Sequence, residues 1–194
     1  METYEILSGV GQLYVAAVGT AFPGVETTPG ASWTALGDTQ DGVTVTVGQA
    51  IVEIRSDQAT GPKKAIRSEE SLLIATNLLE GTLENLAKVL DQTVTDTAPG
   101  SGTIGHRKIG LYRGSAVQTY ALLFKGERMS AYGEAYPAQF EVPVGYFGGD
   151  HGLAFKKNSA TVIPVEFRAL ENPNAGAEAE RFGVLRMQDA AALP

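Results

Sequence analysis

Val43-Thr-Val-Thr-Val47 alternates strictly between β-branched apolar and polar residues, and Val52 and Ile54 resume the pattern beyond Gly48. A period of two puts one set of side chains into a core and the other toward water, so the stretch reads as strand. The two halves, with Gly48-Gln49 between them, predict a β-hairpin turning there. Upstream, Thr20 to Asp41 is rich in Pro, Gly, Thr and Asp, with Trp33 and Leu36 as isolated apolar anchors. It reads as a long loop of the kind that is often functional. Leu13 to Val18 is a short apolar run ending at Gly19, a strand or an extended arm.

Downstream, Ser56 to Ser68 contains Asp57, Gly61, Pro62, Lys63, Lys64 and Arg67 and reads as a polar excursion. Glu70 to Leu79 returns to strand character. Thr82 to Leu90 carries helix signals: Thr82 as N-cap, Glu84 in the first turn, and Lys88 near the far end. Leu83, Leu86 and Leu90 share its expected packing face, with Ala87 beside them. After a loop from Thr93 to Gly105, strands are expected at Lys108 to Tyr112, Val117 to Phe124, Gln139 to Val144 and Thr161 to Phe167. Pro143 and Pro164 mark edges, bulges or strand ends within two of them. Glu171 to Glu180 is a polar connector, Arg181 to Met187 a last short strand, and Gln188 to Pro194 a tail.

The 194 residues suit one domain. It divides into an N-terminal arm and long loop (1–41), a mainly β body with one flanking helix near 82–91 (42–170), and a C-terminal connector and tail (171–194). The absence of cysteine excludes disulfides, thiolate metal sites and cysteine nucleophiles. A net charge of -7 argues against a general nucleic-acid binder, since such binding rests on Lys and Arg neutralising phosphates. Met1 to Val10, with Glu2 and Glu5, does not read as a signal peptide, and no apolar run is long enough to span a bilayer.

Catalytic and ligand motifs are weak. Gly100-Ser-Gly102-Thr-Ile-Gly105 fits G-x-G-x-x-G, but Pro99 precedes it and no helical pattern follows, so a loop is expected. His106 and His151 are far apart and lie near glycines. Asp150-His151 reads as part of a turn and not as half of a metal site. The pairs Asp38 with Asp41 and Glu69 with Glu70 read as solvated acids. No catalytic residue, cofactor or metal ligand is expected.

Four passages together resemble the tail tube, or major tail, proteins of long-tailed, siphovirus-type phages. They are Gly19-Thr-Ala-Phe-Pro23 with Ser32-Trp33-Thr-Ala-Leu-Gly37 and Asp41-Gly42-Val43; Val52-Glu-Ile-Arg-Ser-Asp57-Gln58 with Gly61-Pro62; Asn77-Leu-Leu-Glu80-Gly-Thr82-Leu-Glu84-Asn85-Leu86-Ala87; and Pro164-Val-Glu-Phe167. The resemblance is continuous from about Gly19 to Leu90 and looser beyond, and Gly145 to Gly152 has no counterpart in it.

It implies a β-sandwich or partial barrel with a flanking helix, extended loops and terminal arms. Such a subunit would form homohexameric rings that stack into a hollow tube. DNA would pass through the lumen without sequence-specific binding, with tail tip, tape measure and terminator proteins as further partners and no membrane contact. The subunit would be made in the host cytoplasm and reside in the virion. The loop from Asp57 to Arg67, with Lys63 and Lys64, would reach the neighbouring ring. Trp33 would be either an interface anchor or a cover for its own core. The competing expectation is a monomeric carbohydrate-binding module using Tyr132, Tyr136, Tyr146 and Phe147 as a stacking surface.

Overall fold

The computed structural model describes residues 6–191. Its order is β1 (Gln12–Ala17), β2 (Thr34–Ala35), β3 (Thr39–Ile54), β4 (Lys64–Leu78), α1 (Leu83–Val89), β5 (Thr95–Thr97), β6 (His106–Lys108), β7 (Tyr120–Gly126), β8 (Ala138–Gly148), β9 (Ile163–Ala169), a 3-10 turn at Glu178–Glu180, and β10 (Val184–Met187). The protein is mainly β with one flanking helix, and its strand pairings are antiparallel.

Among the described residues the strands of the body join in one continuous sheet. This sheet runs β2-β1-β7-β8-β9-β4-β3, with β10 joined to β8, and β5-β6 is a separate small hairpin. The sheet curls, because Leu13 and Val15 of β1 share one core with Ile74 and Leu78 of β4, Leu122 of β7, Val142 and Phe147 of β8, and Phe167 of β9. Only three residues separate β2 from β3, so the two edges of the sheet lie within roughly 14 Å of each other. The result is a partial barrel with a gap beside β3.

Pro143 falls where β8 bulges. Val142 faces Leu122 and Gly145 faces Tyr120, leaving two residues opposite Ala121. Around the same point the other side of β8 exchanges β10 for β9, so the missing N–H of proline costs no ladder bond. Pro164 lies beyond the β8 pairing of β9, near the start of that strand. The segment Gly145 to Gly148 continues β8 and carries Phe147, which packs edge-on against Phe167 at 5.2 Å.

The region expected as an N-terminal arm is part of the body. β1 is an internal strand between β2 and β7. The loop from Val18 to Trp33 folds over the outer face of the sheet, where Trp33 and Phe22 cover Ala16, Ala121 and Leu123. Lys125 Nζ donates to the carbonyls of Gly24 (3.2 Å) and Thr27 (2.5 Å), and Gln139 Nε2 donates to that of Pro23 (2.8 Å). The last short strand expected at Arg181 to Met187 is found as β10, Val184–Met187, on β8. Residues 1–5 and 192–194, which include the ends of the expected arm and tail, lie outside the described residues.

Candidate assembly surface

The decisive feature grows from the alternating stretch Val43 to Val47. β3 does not turn at Gly48-Gln49. It runs unbroken for 16 residues against the 15 of β4, and the chain reverses at Arg55 to Lys63. Gly48 is there for a different reason: a Cβ on it would lie 2.6 Å from Ser71 Oγ of the facing strand. A close cross-strand approach, and not a turn, selects glycine.

β9 covers β4 only from Leu73 to Leu78. Past Val47 and Leu72, β3 and β4 pair only with each other among the described residues, forming a free ribbon of roughly 24 Å from Val47 to Ile54. The cross-strand register divides its faces. The face continuous with the core carries Val47, Gln49, Ile51 and Arg67. The opposite face carries Ala50, Val52, Ile54 and Ile66. Val47 is 82% exposed, and Ile51, Val52, Ile54 and Ile66 are each more than 40% exposed. A two-stranded ribbon is marginal in water by itself, and this one shows aliphatic side chains on both sides. The outer edge of β3 has no partner along its length among the described residues. Its one irregularity is the bulge at Asp41 and Gly42, both at positive φ, where Thr76 Oγ1 donates to the Gly42 carbonyl at 2.6 Å.

The expected inter-ring residues are therefore ribbon residues. Asp57 is in the tip turn, and the Lys63 N–H closes that turn on the Ile54 carbonyl at 2.8 Å. Lys64 and Arg67 belong to β4, not to a loop. Lys64 faces Ile54. Arg67 donates to Gln49 Oε1 at 2.8 Å and to Glu70 Oε1 at 2.6 Å, which stiffens the ribbon where its ladder shifts at Ser68. Being exposed, that ion pair contributes little stability. At the ribbon's base a groove of about 490 Å³ opens toward β8 and β10, with Leu72, Phe140, Val142, Phe182 and Leu185 among its walls.

Trp33 covers its own core. It is 7% exposed, packs tilted against Phe22 with ring centroids 5.1 Å apart, and donates its indole N–H to the Ala21 carbonyl at 3.1 Å.

The helix forms as expected, with Thr82 Oγ1 accepting from the Asn85 N–H. Of the expected packing face, Leu86 packs against the main core beside Val89, and Ala87 is buried as well. Leu83, Leu86 and Leu90 are only half-buried, whereas Asn85, Ala87 and Val89 are buried. Asn85 decides this orientation, because its amide donates to the carbonyls of Leu36 (3.0 Å) and Glu80 (3.2 Å). A buried polar group with two partners outweighs the gain from turning another leucine inward.

Two expected strands change. Lys108 to Tyr112 is strand only to Lys108, and β7 begins at Tyr120, leaving 109–119 as a loop. That loop is pinned by Arg113, which donates to the carbonyls of Val89 (3.2 Å) and Phe147 (3.1 Å), and by Gln92 Nε2 donating to the Tyr112 carbonyl at 3.0 Å. Asp91, at the end of α1 with φ 55°, accepts from the Gln118 N–H. Burial raises its carboxyl above the usual range, against the opposing pull of that N–H, Arg113 and His151.

The residues weighed for chemistry do not converge. Gly100 to Gly105 forms a turn leading into β6. His106 is exposed, and His151 places Nδ1 2.8 Å from the Pro164 carbonyl. Among the described residues, no three His, Asp or Glu side chains stand in metal-holding geometry. The proposed aromatic stacking surface also fails: Phe147 is 1% exposed inside the core, while Tyr132 is exposed on the β7–β8 connection. No helix among the described residues is long and apolar enough to cross a membrane. No family model matches the chain, and no curated protein matches it.

Proposed function

We propose that this protein is a tail tube subunit of a long-tailed phage, a structural virion protein that assembles into stacked homohexameric rings around a DNA conduit. The observation that carries this reading is the β3–β4 ribbon: one open 16-residue edge and two apolar faces, all lacking a partner among the described residues. An exposed, unprotected edge strand is a template for pairing with another chain. A head-to-tail contact that closes makes a ring, and a second one along the axis makes a filament. In this account the open edge of β3 joins subunits around the ring, and the ribbon tip from Asp57 to Arg67 reaches the next ring.

The resemblance in sequence to tail tube proteins supports the same reading, and the partial barrel with its flanking helix is compatible with it. The lumen surface is acidic or neutral, so DNA slides without being held. The remaining partners are the tip, tape measure and terminator proteins, with assembly beginning in the host cytoplasm. Electron microscopy of the purified protein, alone and with tail-tip nuclei, tests the reading. Rings or hollow tubes of uniform width support it, and a persistent monomer under both conditions removes it.

A further inference from the structure

Asp41 is the one aspartate of the chain followed by glycine, and no asparagine is. The dipeptide forms the bulge of β3, between the facing pairs Gln40 with Asn77 and Val43 with Thr76, so neither residue has an opposite number in the ladder. Both are exposed, on the edge of the sheet that no strand covers among the described residues. Asp41 has φ 64° and Gly42 φ 79°, the left-handed region that is uncommon for a residue with a side chain. The surroundings are open, since a Cβ on Gly42 would meet nothing within 4 Å. The Thr76 hydroxyl anchors the bulge by donating to the Gly42 carbonyl at 2.6 Å.

This combination is chemically consequential, because an aspartyl carboxyl is within reach of the backbone nitrogen of the residue that follows it. A following glycine has no Cβ to shield that nitrogen and gives the main chain the freedom to bring it onto the carboxyl carbon. The other aspartates lack one element or another. Asp91 shares the positive φ, but the Gln92 N–H is committed to the Ala87 carbonyl at 2.7 Å and the Asp91 carboxylate to the Gln118 N–H. Asp38 precedes Thr39, which is fixed in the ladder opposite Leu78. Asp96 is held in β5 by Arg107. Asp57, Asp150 and Asp189 are exposed, but Gln58, His151 and Ala190 follow them, each with a side chain beside the attacking nitrogen.

We propose that Asp41-Gly42 is a modification site, at which the folded protein converts an aspartyl into an isoaspartyl linkage without an enzyme or cofactor. The Gly42 nitrogen attacks Cγ of Asp41 in its acid form. A new N–Cγ bond closes a succinimide ring, and the carboxyl hydroxyl leaves as water with the amide proton. Water then adds to one of the two ring carbonyls. Breaking the N–Cγ bond regenerates aspartate, whereas breaking the bond from that nitrogen to the Asp41 main-chain carbonyl carbon gives isoaspartate. One water leaves and one returns, so mass is unchanged and nothing is oxidised or reduced. The main chain now runs through Cβ and Cγ, one carbon longer, with the former main-chain carboxyl as its side group. A bulge absorbs that extra atom because the ladder is already interrupted there, so the fold survives while the open edge of β3 changes its outline. The modification does not depend on the tube reading, although it alters the edge which that reading uses.

The test ages the full chain, dilute and unassembled, at neutral pH and body temperature. Peptide mapping with electron-transfer fragmentation then separates the two linkages, which have equal mass but break differently. Isoaspartate should accumulate at position 41 several-fold faster than at Asp57, Asp150 or Asp189, while circular dichroism remains that of the folded protein. Asp41→Glu should abolish the product, because its extra methylene disfavours closure of the ring. Thr76→Val, which frees the Gly42 carbonyl, should speed conversion. Position 41 staying aspartyl in the folded chain while the urea-unfolded chain converts would overturn the proposal, since the bulge would then be holding the nitrogen away from Cγ. Conversion no faster than at the other exposed aspartates would overturn it equally. Because the measurement needs no assembly, failure to form tubes removes the tube reading and leaves this site to be judged by the peptide map alone.

Discussion

Val47 lies directly opposite Leu72, and at this pair the sheet passes from wall to free ribbon. Leu72 packs against the main core, whereas Val47 is 82% exposed. Among the described residues nothing covers the ribbon beyond the pair, which separates residues that hold the fold from residues available to other molecules.

The ribbon should be dispensable for folding. Val52→Thr with Ile66→Thr keeps a β-branched shape at a facing pair while removing apolar surface. Monomer stability measured by urea unfolding should change by less than about 1 kcal/mol, because neither residue is part of the core. Assembly should need a markedly higher protein concentration. A large loss of monomer stability would instead place the ribbon inside the folding unit.

Trp33→Ala should act on the monomer. The indole closes a small core with Phe22, Ala16, Ala121 and Leu123, so its removal should cost about 3 kcal/mol in a dilute sample. If unfolding were unchanged and only assembly failed, Trp33 would be an interface anchor after all.

On the helix, Asn85→Ala should cost about 2 kcal/mol, since it strips the side-chain donor from the Leu36 and Glu80 carbonyls. Leu83→Ala should cost less than about 1 kcal/mol, because Leu83 is only half-buried. The reverse order in denaturant titrations would restore the leucine face as the packing face.

The raised carboxyl of Asp91 gives a pH dependence of definite sign. Burial is the largest cause, so the folded protein binds this proton more tightly than the unfolded chain does. Stability from this group is present below the unfolded value, about 3.9, and is lost as pH rises through the folded value. Asp91→Asn keeps an acceptor for the Gln118 N–H and tolerates the positive φ. It should raise the melting temperature at neutral pH and flatten the decline above pH ~4. A lower melting temperature with the decline unchanged would show that the charge stabilises the loop through Arg113.

How far these features could be read in the sequence depends on whether local pattern or tertiary contact decides them. The alternation at Val43 to Val47 and the Thr82 cap are local and are found where expected, and at Pro143 the structure selects a bulge from the expected edge, bulge or strand end. Gly48 misled because glycine marks both turns and close strand approaches, and only the facing Ser71 separates the two. Lys108 to Tyr112 has strand composition, but backbone carbonyls at the ends of α1 and β8 capture Arg113 and hold the segment as a loop. The burial of Asn85 on α1 follows from its reach to Leu36, 49 positions away. The ribbon leaves no period in the sequence, because Ile51 and Val52 are adjacent and both exposed. Within the proposed surface, Asp57, Lys63, Lys64 and Arg67 were legible as projecting residues, but their place on a two-stranded ribbon was not.

The most direct test of the central claim is electron microscopy of the wild-type protein beside the Val52→Thr, Ile66→Thr variant, each with and without tail-tip nuclei. The account predicts hollow tubes of uniform width from the wild type and folded, unassembled subunits from the variant at the same concentration. Wild-type protein that stays monomeric in the presence of nuclei would contradict it.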